Sequence, residues 1–162
     1  MRAEDNAAVA RTFDVTRALP GARIVSPEEP LGAVLEMVKL LGEGYVVSIM
    51  GDRAYDFQAS EVNFLGAPAR LPCGPYSLAA SAGCPVVVIF ASSPTYRRYD
   101  VQVAGVLRPR YVPGTPKREQ MRQWTQAYAD LLANYLRDHP YQCHLFHDVW
   151  APAPPPKERP VS

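Results

Sequence analysis

The 162-residue chain lacks the features that mark several specialised classes of protein. It has only three cysteines, Cys73, Cys84 and Cys143, and their odd number and wide spacing fit neither a disulfide framework nor a zinc motif. The formal net charge of +1 provides no basic field for nucleic acid. No apolar run approaches the roughly 18–20 residues that cross a bilayer, and no signal-peptide core follows Met1. These absences predict reduced thiols, no nucleic-acid partner, and a soluble or peripherally bound protein.

Apolar residues, in contrast, are abundant and make up 48% of the chain. This content and length suit one domain with a real core, which we expect over residues 1–150. From Ala151 onward the sequence is rich in proline and charge, which predicts a disordered tail over residues 151–162.

The stretch from Tyr45 to Phe90 organises the predicted fold. Two apolar runs of strand length, Tyr45–Met50 and Pro85–Phe90, flank a long loop rich in glycine and proline. The first run ends on a glycine followed by Asp52 and Arg53. Because ligands gather beyond the carboxyl ends of strands in parallel α/β sheets, this pair is where we expect the charges of a site. The alternative is a salt bridge at a strand end, on the surface.

Hydrophobic periodicity predicts an α/β fold, with a mixed, mostly parallel sheet flanked by helices and a long amphipathic helix near the C-terminus. The segment Tyr45–Met50 is apolar on both faces, which favours an interior parallel strand. We expect Pro85–Phe90 to pair antiparallel with Arg98–Leu107. The predicted helices cover Asn6–Leu19, a segment capped at Ser26 and ending at Gly42 or Gly44, Tyr76–Ser81 and Lys117–Asp138, and a short strand covers Ala22–Val25.

Five motifs, in order along the chain, carry a resemblance to a known family. The chain resembles the C-terminal half of the bacterial lipid A biosynthesis acyltransferase family, which contains lauroyl- and myristoyl-type transferases. The order and spacing of the motifs are more specific than any one of them. The motifs are Gly44 to Arg53, Val62-Asn-Phe-Leu-Gly-Ala-Pro-Ala69, Pro72-Cys-Gly-Pro-Tyr-Ser-Leu-Ala79, Gly83 to Val87, and Asp138-His-Pro140 with Phe146-His-Asp-Val-Trp150.

The resemblance implies an acyltransferase that acts without a cofactor. A fatty acyl group would move from an acyl thioester, commonly on acyl carrier protein, to a hydroxyl of a glycolipid such as a lipid A precursor. The full-length protein would work at the cytoplasmic face of the bacterial inner membrane. An apolar wall with close backbone approach would shield the acyl chain, and a packed loop with glycines at positive φ is the alternative. The residues proposed for that wall are Phe64, Leu65, Gly66, Pro72 and Gly74.

The chain departs from the family at its catalytic motif. Members carry His-x-x-x-x-Asp, in which the histidine is the general base, but no histidine here has an aspartate five residues later. The resemblance therefore implies no catalytic residue in this chain and only supporting electrostatic roles for Asp52 and Arg53. We expect the chain to begin after the catalytic motif, to be soluble and cytoplasmic by itself, and to be inactive alone.

Other interpretations remain open. One is a non-catalytic acyl- or lipid-binding module, and another is a truncated gene product. A nucleotide- or phosphate-binding protein would need a glycine-rich loop that opens a helix, which Gly51-Asp52-Arg53 is not. Four arginines suit a solvated edge or contact with anionic lipid headgroups; they are Arg97, Arg98, Arg108 and Arg110. A metal site at His144, His147 and Asp148 is disfavoured, because an aromatic C-terminal segment more often serves packing.

Overall fold

The computed structural model describes Val25 and residues 30–53, 58–145 and 148–150. These residues divide between two compact units, with the boundary between Ser48 and Ile49. The predicted helix Asn6–Leu19, the helix cap at Ser26 and the predicted tail 151–162 lie outside the described residues, as does all of the predicted strand Ala22–Val25 except Val25.

The described residues form three helices and four strands, which confirms the α/β class. Helix α1 lies in the first unit, and all the other elements lie in the second. In chain order they are α1 (Pro30–Gly42), β1 (Ala59–Phe64), β2 (Ala67–Pro72), α2 (Gly74–Ala82), β3 (Val86–Thr95), β4 (Arg98–Leu107) and α3 (Lys117–Asp138).

The helices agree with the predictions made from periodicity. Helix α3 spans the predicted residues, and its stripe of apolar side chains at helical spacing faces the core. Helix α2 ends at Gly83, whose φ of 68° is left-handed and suits a glycine cap. Helix α1 ends at Gly42, one of the two predicted positions.

The prediction of a mostly parallel sheet is wrong. The described strands form two separate antiparallel pairs, β1 with β2 and β3 with β4. The predicted interior strand Tyr45–Met50 has no regular structure, and Val46 is 94% exposed. An apolar run forms a strand only when another strand pairs with it, and none of the described segments does so here. The antiparallel pairing of β3 with β4 is confirmed.

The prediction of an irregular loop after Arg53 is also wrong, because the segment contains the β1–β2 hairpin. Leu65 and Gly66 form its turn, with φ angles of 53° and 86°, as in a type I′ turn. Pro68 lies within β2 opposite Asn63, and Pro72 ends that strand. Prolines are tolerated on strand edges and ends, so their number did not exclude this hairpin.

Helix α3 is the centre of the core in the second unit. One face of each hairpin packs against it, together with α2. The buried cluster contains Val62, Phe64, Ala69, Leu71, Tyr76, Val88, Tyr128, Ala129, Leu132, Tyr135, Leu136 and Val149.

Candidate functional site

A cavity of about 300 Å³ lies in the second unit, between β3 and α3. Aliphatic and aromatic side chains form most of its wall, and the segments 49–52 and 142–145 close its sides. This volume is at the lower end of the range for small-molecule sites. The wall includes Val86, Val88, Phe90, Leu132 and Leu136, together with Tyr76, Tyr128 and Tyr135.

Gly51 brings the backbone of one side of the cavity against the ring of Tyr128. A Cβ atom at this position would lie 2.9 Å from Tyr128 Cζ and 3.0 Å from its hydroxyl oxygen. Only glycine permits this approach without movement of the ring. The next residue, Asp52, is half-buried and also lines the cavity. The close approach at Gly51 therefore positions Asp52, the one carboxylate that the described residues contribute to this wall.

The charge of Asp52 acts on two other groups of the cavity wall. Burial raises the pKa of the Tyr128 phenol well above its ordinary value, and the nearby Asp52 carboxylate raises it further. The pKa of the Cys143 thiol is raised by the same two causes, with burial again the larger. Both groups are therefore neutral near pH 7, and Asp52 brings a negative charge to a wall that is mostly apolar.

Three phenols lie along the cavity wall. The rings of Tyr76 and Tyr128 are 6.2 Å apart, and burial raises the pKa of Tyr76 well above its ordinary value. Tyr135 packs against Phe90, with ring centroids 4.8 Å apart. Its hydroxyl is buried and has no hydrogen-bond partner among the described residues. The wall thus combines apolar rings with phenol hydroxyls.

The seven residues predicted for a site occupy different places. Asp52 lines the cavity and Arg53 is half-buried beside it. The five residues proposed for an apolar wall belong to the β1–β2 hairpin and the start of α2. None of them is in the cavity wall. Phe64 is fully buried, Leu65 and Gly66 form the hairpin turn, and Pro72 and Gly74 flank Cys73 between β2 and α2.

Phe64 also joins the hairpin to the aromatic segment at residues 148–150. Its ring stacks on Trp150 with centroids 5.9 Å apart, and the indole N–H donates a 3.4 Å hydrogen bond to the Phe64 carbonyl oxygen. The backbone N–H of Arg70 donates to the Val149 carbonyl oxygen at 2.8 Å. This segment, predicted to serve packing, is attached to the hairpin on both strands.

The disfavoured metal site finds no support in the described part of the chain. No group of three or more His, Cys, Asp or Glu side chains is placed there to hold a metal ion. His144 lines the cavity, Asp148 is exposed, and His147 lies outside the described residues.

Most residues of the cavity wall were missed as site residues from the sequence. Tyr128 and Tyr135 were interpreted as part of the core stripe of α3, which they also are. Cys143 and His144 follow α3 in a segment without periodicity, so no pattern connected them with Asp52. The signal that could have pointed to this site was the pair Tyr128 and Tyr135, which lie on the same face of α3. A buried phenol usually marks a polar contact in a core.

Comparison with known families gives the class of the chain. The model of the bacterial lipid A biosynthesis acyltransferase family matches residues 1–151. The chain therefore belongs to this family, and the predicted acyltransferase relationship is confirmed. The comparison with curated proteins gives no match. In the described residues, no helix is both long and apolar enough to span a membrane.

Proposed function

We propose that the chain is part of an acyltransferase that moves a fatty acyl group from an acyl thioester, carried by acyl carrier protein, to a hydroxyl of a glycolipid such as a lipid A precursor. The chain belongs to the acyltransferase family over residues 1–151. The donor, the acceptor and a location at the cytoplasmic face of the inner membrane are part of the proposal. So is the division into an acyltransferase-like C-terminal part over 1–150 and a proline-rich tail.

The observation that supports this function best is the cavity between β3 and α3. Its wall is aliphatic and aromatic, so an alkyl chain placed there leaves water and gains about 25 cal/mol for each Å² of apolar surface buried. Asp52 adds one carboxylate to this wall. In the proposal Asp52 holds Arg53 or a partner's histidine, and Arg53 stabilises the negative charge that develops on the thioester oxygen.

We further propose that the chain alone does not catalyse transfer. The attack of a hydroxyl on a thioester needs a group that removes the proton, and the family uses the histidine of His-x-x-x-x-Asp for this step. The sequence contains no such motif. The base would then come from outside these 162 residues.

The β1–β2 turn is proposed as a second contact for the acyl chain. Leu65 is exposed at the turn and held at positive φ, so its side chain is presented to solvent by the hairpin. The other four residues proposed for the wall would hold the turn in place, since two of them, Phe64 and Pro72, are buried in the fold. The remaining two are Gly66 and Gly74.

The alternative is a non-catalytic acyl- or lipid-binding module. The cavity favours it, because the apolar wall serves binding equally well without a base. Both functions predict binding of an acyl thioester, and they differ in whether turnover appears when the missing base is supplied.

Binding of dodecanoyl-coenzyme A to the full chain, measured by calorimetry, tests the shared part of both functions. Gly51→Ala should weaken binding about tenfold, because the new methyl group displaces the Tyr128 ring into the cavity. Gly42→Ala is the matched control, since a Cβ there meets no atom within 4 Å. Absence of binding by the unaltered chain would overturn both functions.

A turnover assay with dodecanoyl-acyl carrier protein and a glucosamine-based lipid acceptor separates them. The acyltransferase proposal expects no transfer by the chain alone and transfer when a polypeptide with the His-x-x-x-x-Asp motif is added. Transfer by the chain alone would contradict the assignment of the base to another polypeptide. Binding without transfer under both conditions would favour the binding module.

A further inference from the structure

The outer face of the β3–β4 hairpin is a continuous aliphatic surface. Side chains that lie opposite each other in an antiparallel pair point to the same face. The register places three apolar pairs on the face opposite the buried Val88, and Tyr99 follows on the same face. We call this set the outer face; its pairs are Val87 with Val106, Ile89 with Val103, and Ala91 with Val101. The β3 members of these pairs also contribute to the wall of the cavity along the edge of β3.

These side chains are exposed although they are apolar. Val101 is 67% exposed, Val103 63% and Ile89 55%. The only acidic residue of the hairpin, Asp100, lies opposite Ser92 and thus belongs to the other face. A contiguous apolar patch of this kind marks an interaction surface in soluble proteins.

Arginines border the outer face at both ends, and a tyrosine accompanies them at the hairpin tip. At the hairpin tip, Tyr96 is 86% exposed and the Arg97 guanidinium lies 5.2 Å from its ring centroid. At the other end, Arg108 and Arg110 follow β4 and are exposed. Arg98 pairs with Asp100 at 2.7 Å. Residues 84–112 contain four arginines and one aspartate, so this region is cationic in a chain whose total charge is only +1.

We propose that the outer face of β3–β4 docks onto a bilayer surface that carries anionic headgroups. The inference rests on the proposed function in one respect, since a lipid acceptor must be reached at a membrane. The aliphatic pairs would lie at the level of the acyl chains, and the tyrosines would lie at the interface, where their amphipathic rings are favoured. The arginines at both ends would extend to lipid phosphates.

Charge distinguishes this occupant from a second copy of the chain. Two copies joined through their outer faces would bring arginine-bordered ends together, and like charges in contact are unfavourable. The described residues provide no ion pair for Arg97, Arg108 or Arg110 that would neutralise them first. An anionic bilayer provides acyl chains for the aliphatic pairs and negatively charged phosphates for the arginines.

Co-sedimentation of the full chain with vesicles tests the proposal. We expect binding to vesicles of phosphatidylcholine mixed with phosphatidylglycerol, and much weaker binding to phosphatidylcholine alone. Added salt should weaken the binding, because surface charges are screened. The double variant Arg97→Gln, Arg108→Gln should bind the mixed vesicles less tightly, by about fivefold for each arginine removed.

The aliphatic part is tested by the double variant Val101→Thr, Val103→Thr. Threonine keeps the β-branched shape, so the hairpin should form, while each added hydroxyl opposes transfer into an apolar phase and together they weaken binding about tenfold. The double variant Val46→Thr, Val112→Thr is the matched control, since both valines are exposed and lie outside this face. Thermal melting of each variant confirms folding.

Three results would overturn the proposal. One is equal vesicle binding by the outer-face variant and its control. Another is vesicle binding that depends neither on the charge of the lipid nor on the salt concentration. The third is a dimer seen by light scattering without lipid that Val101→Thr, Val103→Thr converts to a monomer, which would assign the face to a second copy. Because no turnover or thioester is involved, these results are independent of the test of the proposed function.

Discussion

The hairpins β1–β2 and β3–β4 are both antiparallel and both pack on α3, but only the first has a polar outer face. In β1, buried and exposed residues alternate, and Glu61 and Asn63 point away from the core. Glu61 lies opposite Arg70, so opposite charges face each other across the pair. In β3–β4, the corresponding face carries aliphatic pairs instead.

Side-chain amides bond to the backbone at the edges of both hairpins. The side-chain amide of Gln126 on α3 accepts from the Asn63 N–H at 2.8 Å and donates to the Asn63 carbonyl oxygen at 2.9 Å. It thereby replaces a neighbouring strand on β1, while Val149 bonds to Arg70 on β2. On β3, a comparable contact joins the Ser93 N–H to Gln142 at 3.0 Å. The two hairpins are thus alike at their edges and differ in their outer faces, since that of β3–β4 is aliphatic.

The largest difference between the hairpins is expected for truncation of an apolar side chain. Phe64→Ala should lower the free energy of unfolding by about 3–5 kcal/mol, because the ring is fully buried and leaves a cavity. Val103→Ala on the outer face of β4 should change it by about 0.5 kcal/mol or less. Urea unfolding of both variants measures this contrast. Equal losses would show that the outer face is buried in the folded protein.

High pH should destabilise the core beneath β3–β4 through two buried tyrosines, Tyr76 on α2 and Tyr128 on α3. Burial raises the pKa of Tyr76 and Tyr128, so the unfolded chain loses these protons first as pH rises past 10.0. The stabilising contribution is complete below that pH and decreases above it. We expect the free energy of unfolding to be about 2–3 kcal/mol lower near pH 11 than near pH 9.

Two variants test whether this pH dependence comes from the buried tyrosines. Tyr128→Phe should remove about half of it, since one of the two buried phenols is lost. Tyr99→Phe should leave it unchanged, because this side chain is on the exposed outer face. A pH dependence that is the same in all three proteins would contradict the assignment to the buried tyrosines.

The sequence predicted the elements that depend on local patterns, and it missed those that depend on distant residues. Helix α3 was predicted with its correct bounds because its apolar stripe repeats at helical spacing over six turns, which only a helix satisfies. The β3–β4 pairing was predicted from two adjacent apolar runs joined by a short turn. Local patterns of this kind need no knowledge of distant residues.

The β1–β2 hairpin was missed because its prolines and its Leu65-Gly66 turn do not carry the usual turn signal. A type I′ turn favours Asn-Gly or Gly-Gly, and leucine at its first position is rare. The segment Tyr45–Met50 was wrongly predicted as a strand, since an apolar run does not specify whether another strand pairs with it. The cavity wall was largely missed because it brings Asp52 next to Tyr128 and Cys143, which are far apart in sequence.

A smaller effect is expected from the edge of β1. Gln126→Ala should lower the free energy of unfolding by about 1–2 kcal/mol, because it leaves the N–H and carbonyl groups of Asn63 to water. Gln123→Ala, three residues earlier on α3, loses only an exposed 3.2 Å hydrogen bond to Glu119 and serves as the control. Hydrogen exchange at the Asn63 amide should accelerate in the first variant only. Unchanged exchange there would mean that another group protects this edge.

The smallest effect should come from the β1–β2 turn and should be a gain. Leu65 has a φ of 53°, a conformation that costs a leucine about 1 kcal/mol and that asparagine tolerates better. Leu65→Asn should therefore raise the free energy of unfolding by about 0.5–1 kcal/mol, whereas Leu65→Ala keeps the strained backbone and should give no gain. If the turn also contacts an acyl chain, as proposed, Leu65→Asn should weaken binding of dodecanoyl-coenzyme A while it stabilises the fold. If Leu65→Asn stabilises the fold and does not weaken binding of dodecanoyl-coenzyme A, the turn has a structural role and does not contact the acyl chain.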